Sequence, residues 1–579
     1  MEDNKGVRIV GIILKSIFCI AVTLVLYYFI LPPISIFSAG FWIFAIIILS
    51  GAGLAFGVLD LSFLSDKKVK KKKQKNINIY IRSNKKNTAE KTGAQTLAAK
   101  IYTGIIIAAV AIFIIGIIIS APMFRAADFA GVIEVSESDF AKDMPEVSKV
   151  TDIALMDTDS AKKLGDRKLG ALANVVSQFV VSESYTQINY NGKPKKVASL
   201  EYDGFFKWIG NRDTGVPGYV MVDAIDNYAD YVELENGIKY TESAYFSEDL
   251  RRVLRFAYPT KIFGNISFEV DEDGKAFYIV SCMKPKAGLF GAMDVSEVIM
   301  FNPVDGSHSL LSVGEIPSWV DIVYEGNLAC RKYDWKGLYS GGFFNSIIGN
   351  KGCKQTTDDF GYIMRDDDVW YFTGVTSITA DSSNIGFILS NARTGEYKFY
   401  PVIGAEEHSA MGAAEGEVQE KGYIASFPSL VNVSGQPSYI MVLKDANGLV
   451  KLYALVNVQQ YNMVATGETQ SEAITAYIKT LRQNGIAVND PDTGDDSAGN
   501  KNSEDFEIKL ADMKYLTLSG TTYVYITAED GKVFRMEFNT ENEGIILKRV
   551  GDTLRGKAKP EKNGIYSIVS WKPSDLGSE

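Results

Sequence analysis

Cysteine and histidine are both scarce in this chain, which has four cysteines and two histidines among 579 residues. One cysteine falls in an apolar run, and the other three, Cys282, Cys330 and Cys353, show no Cys-x-x-Cys spacing. We therefore expect free thiols, with a Cys330–Cys353 disulfide as the alternative. His308 and His408 are distant in sequence, which excludes a metal site of three or more histidines within one chain.

Recognisable catalytic motifs are missing. The chain has no Gly-x-Ser-x-Gly sequence, and no Lys or Arg follows Gly341-Gly342 at phosphate-loop spacing. The acidic runs 366–368 and 381–384 lack the spacing of a calcium-binding loop, so we interpret them as solvated turns. A cysteine–histidine nucleophile pair is the remaining alternative. The sequence thus predicts no catalytic residue, no cofactor and no bound metal.

Net positive charge is lacking outside the first hundred residues. Residues 1–100 hold 15 Lys and Arg against 5 Asp and Glu, a net charge of +10, whereas the whole chain carries −10. Residues 101–579 therefore carry −20. Because contacts with phosphate groups need a basic face, this balance excludes nucleic acid as the partner of the larger part.

Three long apolar runs are present, at about 7–31, 36–59 and 101–121. Each is long enough for a helix that crosses about 30 Å of hydrocarbon. The first two, joined at Pro32-Pro33, predict a transmembrane hairpin over 1–64, and the third predicts a single span. A cleaved signal peptide is disfavoured, because a second apolar run follows the first instead of a small-residue cleavage site.

A basic loop at 65–100 separates the second and third apolar runs. Short basic loops remain in the cytoplasm, so we expect a multi-pass membrane protein with a cytoplasmic N-terminus and residues 123–579 outside. The loop is also expected to contact anionic lipid of the bilayer. The basic residues that carry this prediction are Lys67, Lys68, Lys70, Lys71, Lys72, Lys73, Lys75, Arg82, Lys85 and Lys86.

Short apolar strands, turns and capped helices alternate through 123–488. Turns such as Asn191-Gly192 and Asp305-Gly306 predict antiparallel hairpins, and thus an α+β region of antiparallel sheets with packed helices. A Pro-x-Tyr-x-Met-Val pattern begins at both Pro217 and Pro437 and is followed by a strand and a helix. This predicts an internal duplication with related units near 216–256 and 436–481, with chance similarity of apolar strands as the alternative.

The last part of the chain has a different pattern. Residues 489–503 offer almost nothing that could pack in a core, which predicts a linker or mobile loop. Five short strand signals in 504–573 predict a small β-barrel, OB-like or SH3-like. The predicted fold class is therefore three N-terminal transmembrane helices, a large α+β ectodomain and a small C-terminal β-barrel.

The central part resembles a set of uncharacterised membrane-anchored proteins of Gram-positive bacteria, over about 156–481. The segments that carry the resemblance are Thr373–Ser377, Asn391–Glu396, Gly404–Met411 and Leu443–Lys451. No activity is established for that family, so the resemblance transfers no functional residues. The strand-and-helix units also resemble PepSY-type modules, which implies inhibition or regulation of partners in the envelope.

These patterns together favour a non-enzymatic, membrane-anchored, extracytoplasmic binding or regulatory protein of the bacterial cell envelope, with a protein partner. One alternative is an envelope hydrolase that acts on cell-wall polymer or peptide. A second alternative is an accessory subunit of a membrane protein complex. The sequence indicates no oligomeric state.

Overall fold

The computed structural model describes residues 3–57, 93–147, 153, 155–225, 227–357, 359–378, 380–488, 504–518, 521–538, 543–560 and 564–572. The chain divides into two units, Met1–Val488 and Asn489–Glu579. The ten basic residues of the predicted cytoplasmic loop, from Lys67 to Lys86, lie outside the described residues. The predicted linker at 489–503 lies outside them as well.

Apolar residues dominate the first three helices, which are α1 Asp3–Ile30, α2 Ala39–Ala55 and α3 Gly93–Ile119. In the described part of the chain, two helices are long and apolar enough to cross a membrane, over Val10–Ile30 and Ala99–Ile119. They indicate a membrane-associated or secreted protein. The predicted fold class of three transmembrane helices is therefore wrong in its count. Ser38 caps α2 late and Gly57 follows its end with a left-handed φ of 65°, so α2 has only 17 residues.

Short elements connect α3 to the sheets. They are α4 Pro122–Ala130, β1 Ser136–Glu137 and α5 Phe140–Asp143. After them, a helix followed by an antiparallel sheet recurs four times, and this recurrence is the plan of the first unit. The α+β content predicted from the sequence is confirmed.

The first two repeats are consecutive in the chain. The first comprises α6 Thr158–Gly170, α7 Ala173–Val176, β2 Phe179–Val181, β3 Thr186–Tyr190, β4 Lys193–Tyr202, α8 Phe205–Asn211, β5 Val216–Asp223 and β6 Tyr228–Ile238. The second comprises α9 Leu250–Ala257, β7 Ile262–Val270, β8 Ala276–Ala287, β9 Gly291–Phe301 and β10 His308–Ser312.

The third and fourth repeats follow in the same way. The third comprises α10 Gly326–Tyr339, β11 Lys354–Thr356, β12 Gly361–Arg365, β13 Asp368–Ser377, β14 Ala380–Asn391 and β15 Tyr397–Tyr400, and β1 pairs with β15 in parallel. The fourth comprises α11 Glu407–Glu417, β16 Ile424–Ala425, β17 Ser429–Val433, β18 Gln436–Lys444, β19 Val450–Asn457 and β20 Val464–Gly467. The helix α12 Gln470–Gln483 ends the first unit's elements.

Three of the four sheets share one unusual edge. Two short strands pair with a single long strand: β2 and β3 with β4, β11 and β12 with β13, and β16 and β17 with β18. In the second sheet, β7 replaces both short strands, and its register with β8 shifts between Phe263 and Ile266. The tight turn before the long strand has a left-handed φ of 52° at each of Asn191, Asp366 and Ser434. Turns of this hand match the twist of antiparallel hairpins.

The repeats pack in pairs. The first and second sheets share one core, in which the rings of Tyr219 and Phe268 lie 5.8 Å apart. The third and fourth sheets share another, in which Phe387 and Tyr439 also lie 5.8 Å apart. We call residues 158–312 the first half and residues 326–467 the second half.

The repeat in the structure and the repeat in the sequence pattern do not match strand for strand. Pro217 lies in β5, which follows the long strand of its sheet, whereas Pro437 lies in β18, which is itself the long strand. By position in the sheet, the counterpart of β18 is β4 and the counterpart of β5 is β19. The relation between 216–256 and 436–481 stays a prediction from sequence, and the recurring unit of the fold begins at a helix.

The described residues of the second unit form five strands, which are β21 Glu504–Leu518, β22 Thr521–Ala528, β23 Val533–Glu537, β24 Thr553–Pro560 and β25 Ile565–Lys572. They close on themselves in the order β21-β22-β23-β25-β24, with β23 and β25 parallel. Val524 and Ile526 are fully buried inside the ring.

Candidate functional site at the anchor junction

The end of α1 is held by an arginine of the second repeat. α1 stops at Leu31, whose φ of 51° is left-handed. Arg255 of α9 is 5% exposed, and its Nε donates to Leu31 O at 3.0 Å. Its Nη1 donates to Tyr258 O at 3.2 Å and to Lys261 O at 2.6 Å. We call residues 122–488, the part of the first unit that follows α3, the body. The guanidinium therefore satisfies a free carbonyl at the negative end of α1 and two carbonyls of the body.

Arg252 makes a second contact with α1. Its Nε donates to Tyr28 O at 3.3 Å, its Nη1 donates to Phe246 O at 2.5 Å, and its guanidinium lies 4.2 Å from the centre of the Tyr28 ring. Beyond the helix, Ile34 N donates to Pro259 O at 2.7 Å. The chain thus passes from α1 to α2 in direct contact with the body.

The end of α3 is held by the β8–β9 hairpin of the same repeat. Ser120 Oγ accepts from Leu289 N at 2.8 Å and from Phe290 N at 3.0 Å, and donates to Gly116 O at 2.6 Å. The rings of Phe113 and Phe290 lie 5.9 Å apart. A Cβ on Gly116 would lie 2.6 Å from Phe290 Cε2, so an alanine here would have to displace the Phe290 ring.

Both long apolar helices therefore end on the second repeat. α2 begins at the same end, near Pro259, and Tyr102 Oη of α3 donates to Leu49 O of α2 at 2.7 Å. α2 thus runs opposite to α3. Two docked helix ends fix the orientation of the body relative to both helices.

Exposed aromatic side chains surround the α1 junction. Phe206 is 84% exposed, Phe246 is 55% exposed and Phe256 is 54% exposed. The rings of Phe205 and Phe246 lie 6.3 Å apart, and the ring of Phe256 lies 6.1 Å from that of Tyr27. Aromatic residues concentrate at membrane–water interfaces, and a contiguous exposed patch marks an interaction surface.

A cavity of about 430 Å³ opens beside the end of α1, between the first and second repeats; we call it the anchor cavity. Two carboxylates, Glu242 and Asp249, and one guanidinium, Arg252, line it. Tyr202 also lines it, and its Oη is buried without a hydrogen-bond partner among the described residues. A buried hydroxyl without a hydrogen-bond partner costs free energy.

An acidic cleft of about 550 Å³ lies beside α10. Asp334, Asp359 and Arg331 line it. Burial raises the pKa of Asp334, although Thr356 N and Oγ1 donate to its Oδ1 at 2.7 and 3.1 Å. A carboxyl with a raised pKa in an open cleft is one feature of candidate active sites.

A second pair of acids is enclosed. Glu269 is fully buried, and it accepts from Asp321 N at 2.8 Å and from Ile322 N at 3.2 Å. Asp321 is 2% exposed and accepts from Asn189 N at 2.7 Å. Burial raises the pKa of Glu269 to about 7, and burial together with the Glu269 charge raises that of Asp321. Ser267 Oγ also donates to Glu269, at 2.7 Å, and the other donors are backbone N–H groups, so this pair holds the segment between the two halves against the first half.

Two further ionisable groups are buried without an ion pair among the described residues. Glu407 at the start of α11 accepts from Gly374 N at 2.6 Å, and burial raises its pKa to about 7. Lys196 on β4 is 1% exposed, and its Nζ lies 4.8 Å from the centre of the Tyr362 ring. Burial lowers the pKa of Lys196 to about 8. Its contact with Tyr362 joins the first half to the second.

The thiols and histidines singled out in the sequence lie in packing contacts. Cys330 and Cys353 are both free, so the alternative of a disulfide between them is not realised. Burial raises the pKa of Cys330 to about 12, which disfavours a nucleophilic thiolate. His308 Nδ1 lies 2.8 Å from Tyr258 Oη, and the His408 ring lies edge-on to a neighbouring phenylalanine.

The acidic run 366–368 divides between an ion pair and a turn, and the side chains of 381–383 lie outside the described residues. Arg393 Nε donates to Asp368 Oδ1 at 2.7 Å and Asn391 Nδ2 donates to its Oδ2 at 2.8 Å, whereas Asp366 and Asp367 form the left-handed turn before β13. Within the described ranges, no group of three or more His, Cys, Asp or Glu is placed to hold a metal ion.

Four residues of the junction were not singled out in the sequence: Arg252, Arg255, Ser120 and Tyr202. The available signals are three arginines within Arg251–Arg255 on one capped helix and a serine directly after an apolar run. Most of their partners are backbone groups, which leave no trace in the sequence.

No protein-family model matches this chain, and no curated protein does. Among solved structures, it is similar to an exo-beta-1,3-galactanase from Phanerochaete chrysosporium, crystallised with beta-1,3-galactotriose, at 9% identity and a TM-score of 0.15. The match covers 60% of this chain and 62% of that one, so the chain spans less than two thirds of that enzyme's length. A likeness of this size carries no argument about fold or function.

Proposed function

We propose that this chain is a membrane-anchored protein of the bacterial cell envelope whose body binds or regulates a protein partner. The observation that carries the proposal is the double attachment of the second repeat, through Arg255 at Leu31 and through Ser120 at Leu289 and Phe290. A body held by two helix ends keeps one orientation to the bilayer. That suits a protein that presents a fixed surface to a neighbour in the membrane.

The side of the membrane follows from charge. α1 and α3 both end at the body, so the body lies where both helices leave the bilayer. The basic run at 67–86 precedes α3 at its other end, and such runs remain in the cytoplasm, where anionic lipid attracts them. We therefore place the body on the extracytoplasmic side.

Membrane attachment and sidedness are tested on cells that express the full chain. We expect carbonate-washed membranes to retain it, and protease added to intact spheroplasts to cleave the body. Release by carbonate, or a body that is cleaved only after detergent is added, would refute the proposal. A cytoplasmic protein that stays uncut in the same spheroplasts serves as the control for lysis.

Binding is tested by crosslinking and pulldown from native membranes, where we expect a protein partner to be recovered with the full chain. The acidic cleft beside α10 favours the hydrolase as second candidate. It is tested by incubating the purified full chain with cell-wall polymer. If the chain hydrolyses the polymer, and if Asp334→Asn abolishes this activity while Asp273→Asn in an exposed turn does not, the function is hydrolysis and not binding.

A further inference from the structure

We propose that residues 343–348, which follow α10, insert into the bilayer surface beside the end of α3; we call these residues the apolar loop. The inference rests on the proposed function, because it requires α3 to cross the bilayer. It gives the body a contact with lipid of its own, in addition to its attachment to the ends of α1 and α3.

The polarity of the apolar loop is the reverse of what water favours. Phe344, Ile347 and Ile348 are 65%, 59% and 80% exposed. The side-chain amide of Asn345 is used within the segment instead, since its Nδ2 donates to Lys351 O at 3.0 Å and its Oδ1 accepts from Lys351 N at 3.2 Å. Large apolar side chains exposed together mark a surface that contacts lipid or protein.

The direction of α10 places the apolar loop near the end of α3. α4 follows α3 directly, and the ring of Phe129 in α4 lies 5.2 Å from that of Trp335 and 5.8 Å from that of Tyr339. Further along the chain, Ile133 shares a core with Ala329, which is nearer the start of α10. α10 is therefore antiparallel to the chain that leaves α3, and its last residues lie on the side from which α3 arrives.

The start of α4 extends the same kind of surface. Met123 and Phe124, in the first turn of α4, are 50% and 62% exposed. They come directly after the point at which α3 leaves the bilayer in the proposed topology. Exposed phenylalanines also surround the end of α1, so apolar side chains are concentrated where both long apolar helices meet the body. This continuity with the spans selects the bilayer as the surface that the apolar loop contacts.

The chemistry of the apolar loop suits contact with lipid. Residues 340–350 contain no ionisable side chain. Ser346 N donates to Gly342 O at 3.3 Å and Ser346 Oγ donates to Phe343 O at 2.7 Å, so polar groups of the loop are paired within it, as an apolar medium requires. Lys351 follows and is exposed, which lets its ammonium group reach the phosphates of lipid head groups.

The test places an environment-sensitive fluorophore on Ile348→Cys in the full chain. The labelled chain is reconstituted into liposomes of phosphatidylethanolamine and phosphatidylglycerol. One sample contains lipid with a nitroxide near the head group, and another contains iodide on both sides of the membrane. We expect the nitroxide lipid to quench the emission about twofold and iodide to have little effect, because the label lies in the interfacial region.

Glu396→Cys, labelled in the same way, is the matched control. β11 begins shortly after the apolar loop, and its Lys354 pairs with Ser377 at one end of the third sheet. Glu396 follows β14, at the other end of that sheet, roughly 30 Å along the strand. Iodide should quench this label and the nitroxide lipid should not. The native chain, treated with the same reagent, gives the background from its own four cysteines.

Two outcomes would overturn the inference. The first is that iodide quenches the label on Ile348→Cys as strongly as the label on Glu396→Cys. The second is that neither iodide nor the nitroxide lipid quenches it, because the apolar loop is then covered by a second copy of the chain and not by lipid. If Ile348→Cys fails to fold, Phe344→Cys is labelled instead, with the same expected results.

A charged substitution gives an independent measurement. Ile348→Asp in the labelled Phe344→Cys chain introduces a carboxylate that favours water, so quenching by the nitroxide lipid should fall about twofold. The same substitution in the labelled Glu396→Cys chain should change nothing. Undiminished quenching of the label on Phe344→Cys by the nitroxide lipid would overturn the inference.

The inference and the proposed function fail in different ways. A chain that carbonate does not release, but whose apolar loop is open to iodide, loses the loop contact and keeps the anchoring. A chain that carbonate releases loses the anchoring itself.

Discussion

The second and fourth repeats both consist of a helix followed by an antiparallel sheet, but they use these elements differently. Both helices are capped by an acid: Asp249 accepts from Arg252 N at 2.7 Å in α9, and Glu406 accepts from Ser409 N at 2.6 Å in α11. α9 then directs arginines at the end of α1. α11 instead buries Ala410 and other small residues completely in the core. The same position in the repeat thus serves docking in one copy and packing in the other.

The hairpin after the long strand shows the same contrast. In the second repeat, the β8–β9 hairpin receives Ser120 from α3. In the fourth, the β18–β19 hairpin receives α6, because Lys163 Nζ donates to Asn447 O at 3.3 Å and Lys444 pairs with Asp157. The hairpin is a docking element in both copies, and its side chains decide whether a membrane helix or a helix of the body docks there.

The largest expected effect breaks the arginine contact of the second repeat. Arg255→Met leaves the carbonyls of Leu31, Tyr258 and Lys261 without their donor, which should lower the free energy of unfolding by about 3–5 kcal/mol. Thermal unfolding of the full chain in detergent measures it. Arg331→Met, an exposed arginine on α10, is the control. An unchanged unfolding temperature in Arg255→Met would mean that α1 is held by other contacts.

The helix of the fourth repeat begins at a buried carboxyl, Glu407, where that of the second carries arginines. Burial raises the pKa of Glu407 to about 7 from an ordinary value of 4.5, so the folded protein holds the proton of this carboxyl more tightly than the unfolded chain. The stabilisation is complete below about pH 4.5 and is lost as the pH rises through 7.

Glu407→Gln keeps an acceptor for Gly374 N and cannot ionise. Relative to the native chain, we expect it to be more stable by about 2–3 kcal/mol at pH 8 and nearly equal at pH 4. Thermal unfolding as a function of pH measures the difference. Glu417→Gln, at the exposed end of α11, should change neither value. A difference in stability between the variant and the native chain that does not depend on pH would contradict the raised pKa of Glu407.

A smaller effect is expected at the β8–β9 hairpin, where α3 docks. Gly116→Ala places a Cβ 2.6 Å from Phe290 Cε2 and 3.0 Å from Leu289 Cδ1, which should cost about 1–3 kcal/mol through overpacking. Gly104→Ala in the same helix meets no atom within 4 Å and is the matched control. If both variants unfold at the same temperature, α3 does not depend on close contact with the β8–β9 hairpin.

Much of this architecture follows from local patterns. The apolar runs of α1 and α3 and the hairpin at Asn191-Gly192 were predicted, because length, hydropathy and turn chemistry are local properties. The length of α2 was not, since Ser38 and Gly57 shorten it at both ends. The frame of the repeat was missed because strands such as β2 and β16 have only three and two residues, too few for a periodic pattern.

The contacts of the candidate site could not be predicted from the sequence, for a different reason. Arg252 and Arg255 donate mainly to backbone carbonyls, which every residue has, so no partner residue signals the contact. The anchor cavity joins Tyr28 to Glu242 and Tyr202, which only the tertiary fold brings together. The basic run at 67–86 predicts the membrane topology, and its cytoplasmic location stays a prediction.

The smallest expected effect tests the hairpin of the fourth repeat. Burial alone would raise the pKa of Asp157, but the Lys444 ammonium and the Ser160 N–H outweigh it, so the pKa lies below its ordinary value of 3.8. A lowered pKa gives stability that is present above pH 3.8 and is lost as the pH falls through the pKa of the folded state. Lys444→Met should therefore cost about 1 kcal/mol at pH 7 and less as the pH falls below 4. Lys451→Met, whose partner Asp445 lies on the same hairpin, should cost less, since its side chain is 41% exposed.

If Lys444→Met also releases α3 from the β8–β9 hairpin, measured as a loss of the Gly116→Ala effect in the double variant, the two hairpins are coupled and do not dock their helices independently.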